Sequence, residues 1–376
     1  MRRGDESHLS GSKIERRLAL CDIRSLISGL KEKFVPLFRS CGGFVGLMFA
    51  LVCVAVPVHG QTPYKIVDHW KIGGTGGWDY LLADPTAHLL YVTHGPRVEV
   101  LDTNTGKPVA AITGMKGTHG IALDAIGKYG YISDGGSNQV LVFDRSSFAT
   151  VTTIPAGTNP DGIVFEPETN TVWAFNGRSK NVTVIDAASN TVVATVVVPG
   201  KPEFPVADGK GHVYDNIESE NEIVRFDAKA REITGSWKLT DCESPSGLAM
   251  DKKHRRLFAV CDGKKMAVVD ADSGKQIASP AIGDGPDAAG FSDKFRLAFS
   301  SNGEGTLTVV DTEHDFKVIE ELATVKGART MAYDSGSDRI YLATAQIGPR
   351  AEPTAEVPHP RPVALPGSFA IIVVGR

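Results

Sequence analysis

The sequence predicts an all-β fold: a seven-bladed β-propeller, four antiparallel strands per blade, with the ring closed by an N-terminal strand that completes the last blade. Three observations predict it. First, a motif of two or three apolar residues, an Asp and a turn recurs at Asp102, Asp144, Asp186, Asp227, Asp270 and Asp311, at intervals of 42, 42, 41, 43 and 41 residues. A period in the low forties is that of a blade of four short strands. Second, each period divides into four runs rich in Val, Ile, Thr and aromatics, bounded by Gly, Pro, Asn or Asp. Third, no stretch after residue 60 carries a sustained helical spacing of apolar residues. A β-sandwich would need no such strict repeat.

The chain begins differently. From Cys41 to Pro57 it is apolar and uncharged, with Lys31, Lys33 and Arg39 upstream and small residues near Gly60. A basic flank, a short apolar core and a small-residue site predict a secretory signal, with an uncleaved anchor as the alternative. Residues 1–60 are therefore set apart from a propeller domain at 61–376. Of 40 basic and 44 acidic residues, nine and five lie in 1–60, leaving 31 and 39 and a net charge of −8. So acidic a chain is not expected to bind nucleic acid, which needs many Lys and Arg against phosphates.

Tyr64–Lys71 reads as a strand with no blade of its own. Gly73–Gly77 lacks a following helix and the Lys-Ser/Thr pair of a phosphate loop, and is read as the crossing into blade one. The third period shows the pattern: strands at Asp161–Glu166, Thr171–Phe175, Val182–Asp186 and Thr191–Val198. In every copy the Asp that closes the third strand is expected to accept backbone N–H groups of the next turn. The last blade has strands at Arg329–Asp334, Arg339–Thr344 and Ser368–Val374, and lacks a fourth. Tyr64–Lys71 would supply it and remove the open edge. Between residues 345 and 367 lie six prolines with no apolar periodicity, a loop in blade seven on the face of the channel mouth. It is read as a solvated arm, a lid or a docking segment.

The second-strand cores read Tyr91–His94 (YVTH), Tyr131–Asp134 (YISD) and Tyr341–Thr344 (YLAT). They resemble the YVTN-type β-propeller repeat family of the bacterial and archaeal envelope, departing from it at the last position. The resemblance spans residues 64–376 and implies the fold, the compartment and a non-enzymatic binding or surface role. Distant propellers of similar shape hold haem d1 or serve quinone-dependent dehydrogenases.

Aligning the seven first strands brings one residue per blade to the mouth of the central channel: Asp79, His119, Asp161, Glu203, Ser246, Asp287 and Arg329. None is apolar. His94, Asp134, Asn176, Glu218, Asp262 and Asn302, from the second-to-third strand loops, are expected around them, with Trp78 as an aromatic wall. Oxygen-rich clusters with one imidazole suit a divalent cation, and carboxylates held close have raised pKa values unless a cation or Arg329 compensates. The bland reading is a wet channel whose rim touches only water. No HExxH, CxxC or CxxCH motif occurs, so no cofactor is expected beyond that cation. The leading expectation is an exported, monomeric binding or scaffolding module for a small ligand or an envelope protein. The alternative is a lyase or hydrolase at the same funnel. Cys242 and Cys261 bracket the first two strands of blade five, arrive on the mouth face on strands about 5 Å apart, and are expected to form a disulfide, with a pair of soft metal ligands near His94 or His119 as the alternative.

Overall fold

A computed structural model of the chain describes residues 62–349 and 363–376. The proposed signal and the centre of the Pro-rich loop lie outside the described residues. The strands form seven separate sheets of four, each hydrogen-bonded in chain order except the last. Blade three has strands Pro160–Glu166, Thr171–Asn176, Asn181–Asp186 and Thr191–Val197, within a residue of the sequence reading. Among the described residues the one helical element is a 3-10 turn, Glu218–Glu220.

Closure occurs as the missing strand requires. Lys65–Lys71 pairs antiparallel with Ala370–Gly375, which pairs with Arg339–Thr344 and through it with Met331–Asp334. Tyr64 and Trp70 fasten the two ends of this strand. The Tyr64 hydroxyl donates to Asp338 at 2.9 Å, and the Trp70 ring packs 5.2 Å from that of Tyr341.

The core lies between blades rather than in one centre, because each sheet is apolar on both faces. One column explains most of it: Tyr91, Tyr131, Trp173, Tyr214, Phe258, Phe299 and Tyr341 open the second-strand cores of the seven blades, and all are fully buried. An aromatic there fills the wedge against the neighbouring blade, and truncating one to Ala would cost about 3–5 kcal/mol.

Two columns of acids hold the turns. All six repeat aspartates cap the turn that follows: Asp102, Asp144, Asp186, Asp227, Asp270 and Asp311 accept backbone N–H groups two or three residues on. Hydrogen bonds to the turn lower the carboxyl pKa at Asp102, Asp144, Asp186, Asp270 and Asp311, to about 2 at Asp144, where the Ser146 hydroxyl contributes most, with the Ser147 N–H and hydroxyl beside it. A second column ends the first strands on the same face, at Asp84, Asp124, Glu166, Asp208, Asp251 and Asp334. Several of its members also pair across blades, as Arg145 does with Asp84 and Arg255 with Asp208.

Cys242 and Cys261 are bonded, with Cα atoms 5.2 Å apart, inside the blade-five core. The closed loop of this length should contribute about 3 kcal/mol. Non-reducing digestion and mass spectrometry should recover the two cysteines in one linked peptide, and reduction should lower the denaturation midpoint. Two free peptides would contradict the bridge.

Candidate site at the mouth of the channel

The column read from the sequence takes one residue in or just before the first strand of each blade. The structure draws three of them together. His119 Nδ1 lies 2.7 Å from Asp79 Oδ2 and 3.6 Å from Asp161 Oδ1, and one ligand atom from each residue falls within 4.8 Å of the others. Each comes from a different blade, so the geometry belongs to the ring and not to a local turn. Gly135 makes room for it: a Cβ there would stand 2.7 Å from the imidazole.

Asp161 is 8% exposed and accepts no side-chain hydrogen bond among the described residues. Burial, then the neighbouring Asp79 charge, pushes its carboxyl well above the usual range against the pull of His119. Burial works against a charged His119, but the Asp79 hydrogen bond and the Asp161 charge prevail and raise it to about 9.

Across the channel, Lys201 sits between Glu203, at 2.8 Å, and Glu218. Lys201 escaped the sequence reading, yet a signal was present. Two positions before the ring residue the other blades carry Gly77, Gly117, Asn159, Ser244, Gly285 and Gly327, so a lysine there is the exception. Burial still holds Glu203 above its ordinary value, against Lys201. Arg329 Nε stands 3.5 Å from Asp287, and burial raises Asp287 to about 7 despite that charge.

The remaining candidates divide. Ser246 is turned into the wall, donating to the Pro286 carbonyl at 3.1 Å. His94, Asp134, Asn176 and Asn302 are fully buried at the ends of their strands and do not surround the mouth. Asp134 accepts the Lys116 and Gly117 N–H groups; Asn176 and Asn302 bond within their own hairpins; His94 stacks on Phe369 at 4.1 Å. Tight hairpins turn these polar strand ends inward, where Asp134 satisfies backbone groups while both His94 ring nitrogens have no hydrogen-bond partner among the described residues. Trp78 packs on Phe369 at the seam of the first and last blades, and Asp262 is exposed.

The floor was also missed. Next to the ring residue the column reads Tyr80, Gly120, Gly162, Phe204, Gly247, Ala288 and Thr330. Small residues let neighbouring first strands approach; a Cβ at Gly162 would meet the Glu203 carbonyl at 2.4 Å. The two aromatics, from blades one and four, instead meet across the channel. Their rings stack with centroids 4.8 Å apart, and the Tyr80 hydroxyl donates to the Glu203 carbonyl at 2.8 Å.

The raised Asp287 fixes a sign. A carboxyl whose folded pKa lies above its unfolded value of 3.8 favours folding below that value and loses this contribution as pH rises through about 7. Without added metal, Asp287→Asn should therefore gain stability relative to wild type between pH 4 and pH 7. Thermal midpoints of both proteins across that window check it, and a constant difference would contradict it.

No protein-family model matches the chain, and no curated protein matches it in sequence. Solved structures match in shape. Hydrazine synthase of Kuenenia stuttgartiensis aligns at TM-score 0.64 and 14% identity, over 71% of this chain and 92% of that one. U3-55K aligns at 0.68 and 11%, over 82% and 98%, and the WD40 repeats of RRP9 at 0.68 and 11%, over 83% and 97%. At these identities the likeness is one of fold, and it is that of a propeller.

Proposed function

We propose that this protein is an exported envelope propeller whose channel mouth is a non-catalytic binding site for a divalent cation. One observation carries the reading: His119, Asp79 and Asp161 converge from three blades, with one ligand atom of each within 4.8 Å of the others and Asp161 only 8% exposed. Burial and the neighbouring Asp79 make Asp161 costly to ionise even beside His119, a cost that a bound cation would offset. Imidazole with two carboxylates suits a borderline first-row ion such as Mn²⁺ or Zn²⁺ better than an all-oxygen ion such as Mg²⁺. Export is supported by the apolar segment at 41–57 and by the disulfide, which persists in oxidising compartments. No helix among the described residues is long and apolar enough to cross a membrane.

The catalytic alternative rests on the same pair. An imidazole oriented by a carboxylate is the arrangement a lyase or hydrolase uses as an acid or base. Calorimetry decides between a site and a wet rim. MnCl₂ or ZnCl₂ titrated into metal-free protein should bind one-to-one, and His119→Ala should abolish it. Absence of saturable binding would remove the cation. Turnover by the loaded protein in a screen of lyase and hydrolase substrates would replace the binding role with the catalytic one.

A further inference from the structure

Beneath the Tyr80–Phe204 bridge the channel opens again, with the opposite chemistry. The bridge lines both the polar mouth and a second cavity of about 410 Å³ that reaches the face of the first-to-second strand turns. Leu82, Leu123 and Phe165 line it, all half-buried and so presenting apolar surface to the space they surround.

The polar groups at its rim are already satisfied. Arg145 donates to Asp84 at 2.6 Å, and to Asp124 through both its carbonyl, at 2.9 Å, and its carboxylate, at 3.3 Å. Asp84 also accepts the Thr86 and Ala87 N–H groups, and Asp124 those of Lys128 and Tyr129. Neither sign of charge is left free, so an ionic ligand would lose water and gain no partner. A mostly apolar concavity of a few hundred Å³, closed at one end by stacked rings, has the size and lining of a small-molecule site.

We propose that this lower cavity binds a small, uncharged, apolar ligand that enters from the turn face, independently of the cation at the mouth. The stacked rings offer a flat wall, and Leu82, Leu123 and Phe165 offer the sides. Burying the ligand removes apolar surface of both from water, which is the driving force available here.

The neutral dye N-phenyl-1-naphthylamine tests it. Titrated into the purified protein, it should bind saturably with one site and a blue-shifted emission. Leu123→Trp, which fills the cavity, should weaken binding at least about tenfold, the change expected when most of a buried apolar contact is lost. Val197→Ser, on an outer strand and 75% exposed, should change nothing. Absence of saturable binding, or loss with Val197→Ser and not with Leu123→Trp, would overturn the proposal. Should Leu123→Trp fail to fold, wild-type crystals under xenon give the answer. Xenon beside Phe204 and Leu123 supports an apolar site; a hydrogen-bonded chain of ordered waters filling the same space overturns it.

Discussion

Removing residues 64–71 should make the protein aggregate. The deletion strips the outer strand from the last blade and leaves Ala370–Gly375 as an open edge of unpaired N–H and C=O groups. It also removes Tyr64 and Trp70, which are 3% and 6% exposed. Losing buried aromatics of that size costs about 3–5 kcal/mol each, a large part of the net stability of most domains. The milder Trp70→Ala should lower the melting temperature by several degrees while keeping the strand's ladder. Light scattering and thermal melts distinguish the outcomes. A deletion variant that remains monomeric with an unchanged melting temperature would show that the ring closes by other means.

Asp161→Asn should separate binding from stability, moving them in opposite directions. Loss of a ligand carboxylate should weaken cation affinity at least about 100-fold, since even outer partners of metal ligands cost ten to a hundredfold. The metal-free variant should be more stable than wild type at pH 7, by on the order of 1 kcal/mol, because a buried and crowded carboxylate is replaced by a neutral amide. Sites kept for binding often carry this cost. Calorimetry and denaturation on the same samples read both effects. A variant that is destabilised and binds as before would mean that Asp161 serves the wall of the channel alone.

The repeat made the architecture legible. A period of about forty-two residues ending in a turn-capping Asp fixes the number of blades, and an orphan strand at the N-terminal end with a three-stranded blade at the C-terminal end implies closure. The convergence of Asp79, His119 and Asp161 was legible for the same reason, since equivalent positions of a repeat come together in the ring. What the repeat conceals is the direction of a side chain. His94 and Asp134 stand at equivalent strand ends and look like rim residues, but tight hairpins turn them inward. Lys201 and Tyr80 were hidden otherwise, as exceptions within columns of small residues. A repeat displays what recurs, whereas a partition across the channel or a cation beside Glu203 arises where single blades depart from it. Such departures from local regularity are where function is usually found.

The most direct test of the cation site is an anomalous difference map from a crystal soaked in MnCl₂ or ZnCl₂ near pH 8. A single strong peak should lie within ordinary ligand distance of His119 Nδ1, Asp79 and Asp161, about 2.0–2.2 Å for nitrogen and oxygen, and should vanish in Asp161→Asn. A wild-type map with no peak there, and the His119–Asp79 hydrogen bond still in place, would contradict the account and leave the mouth a hydrated ring of charges.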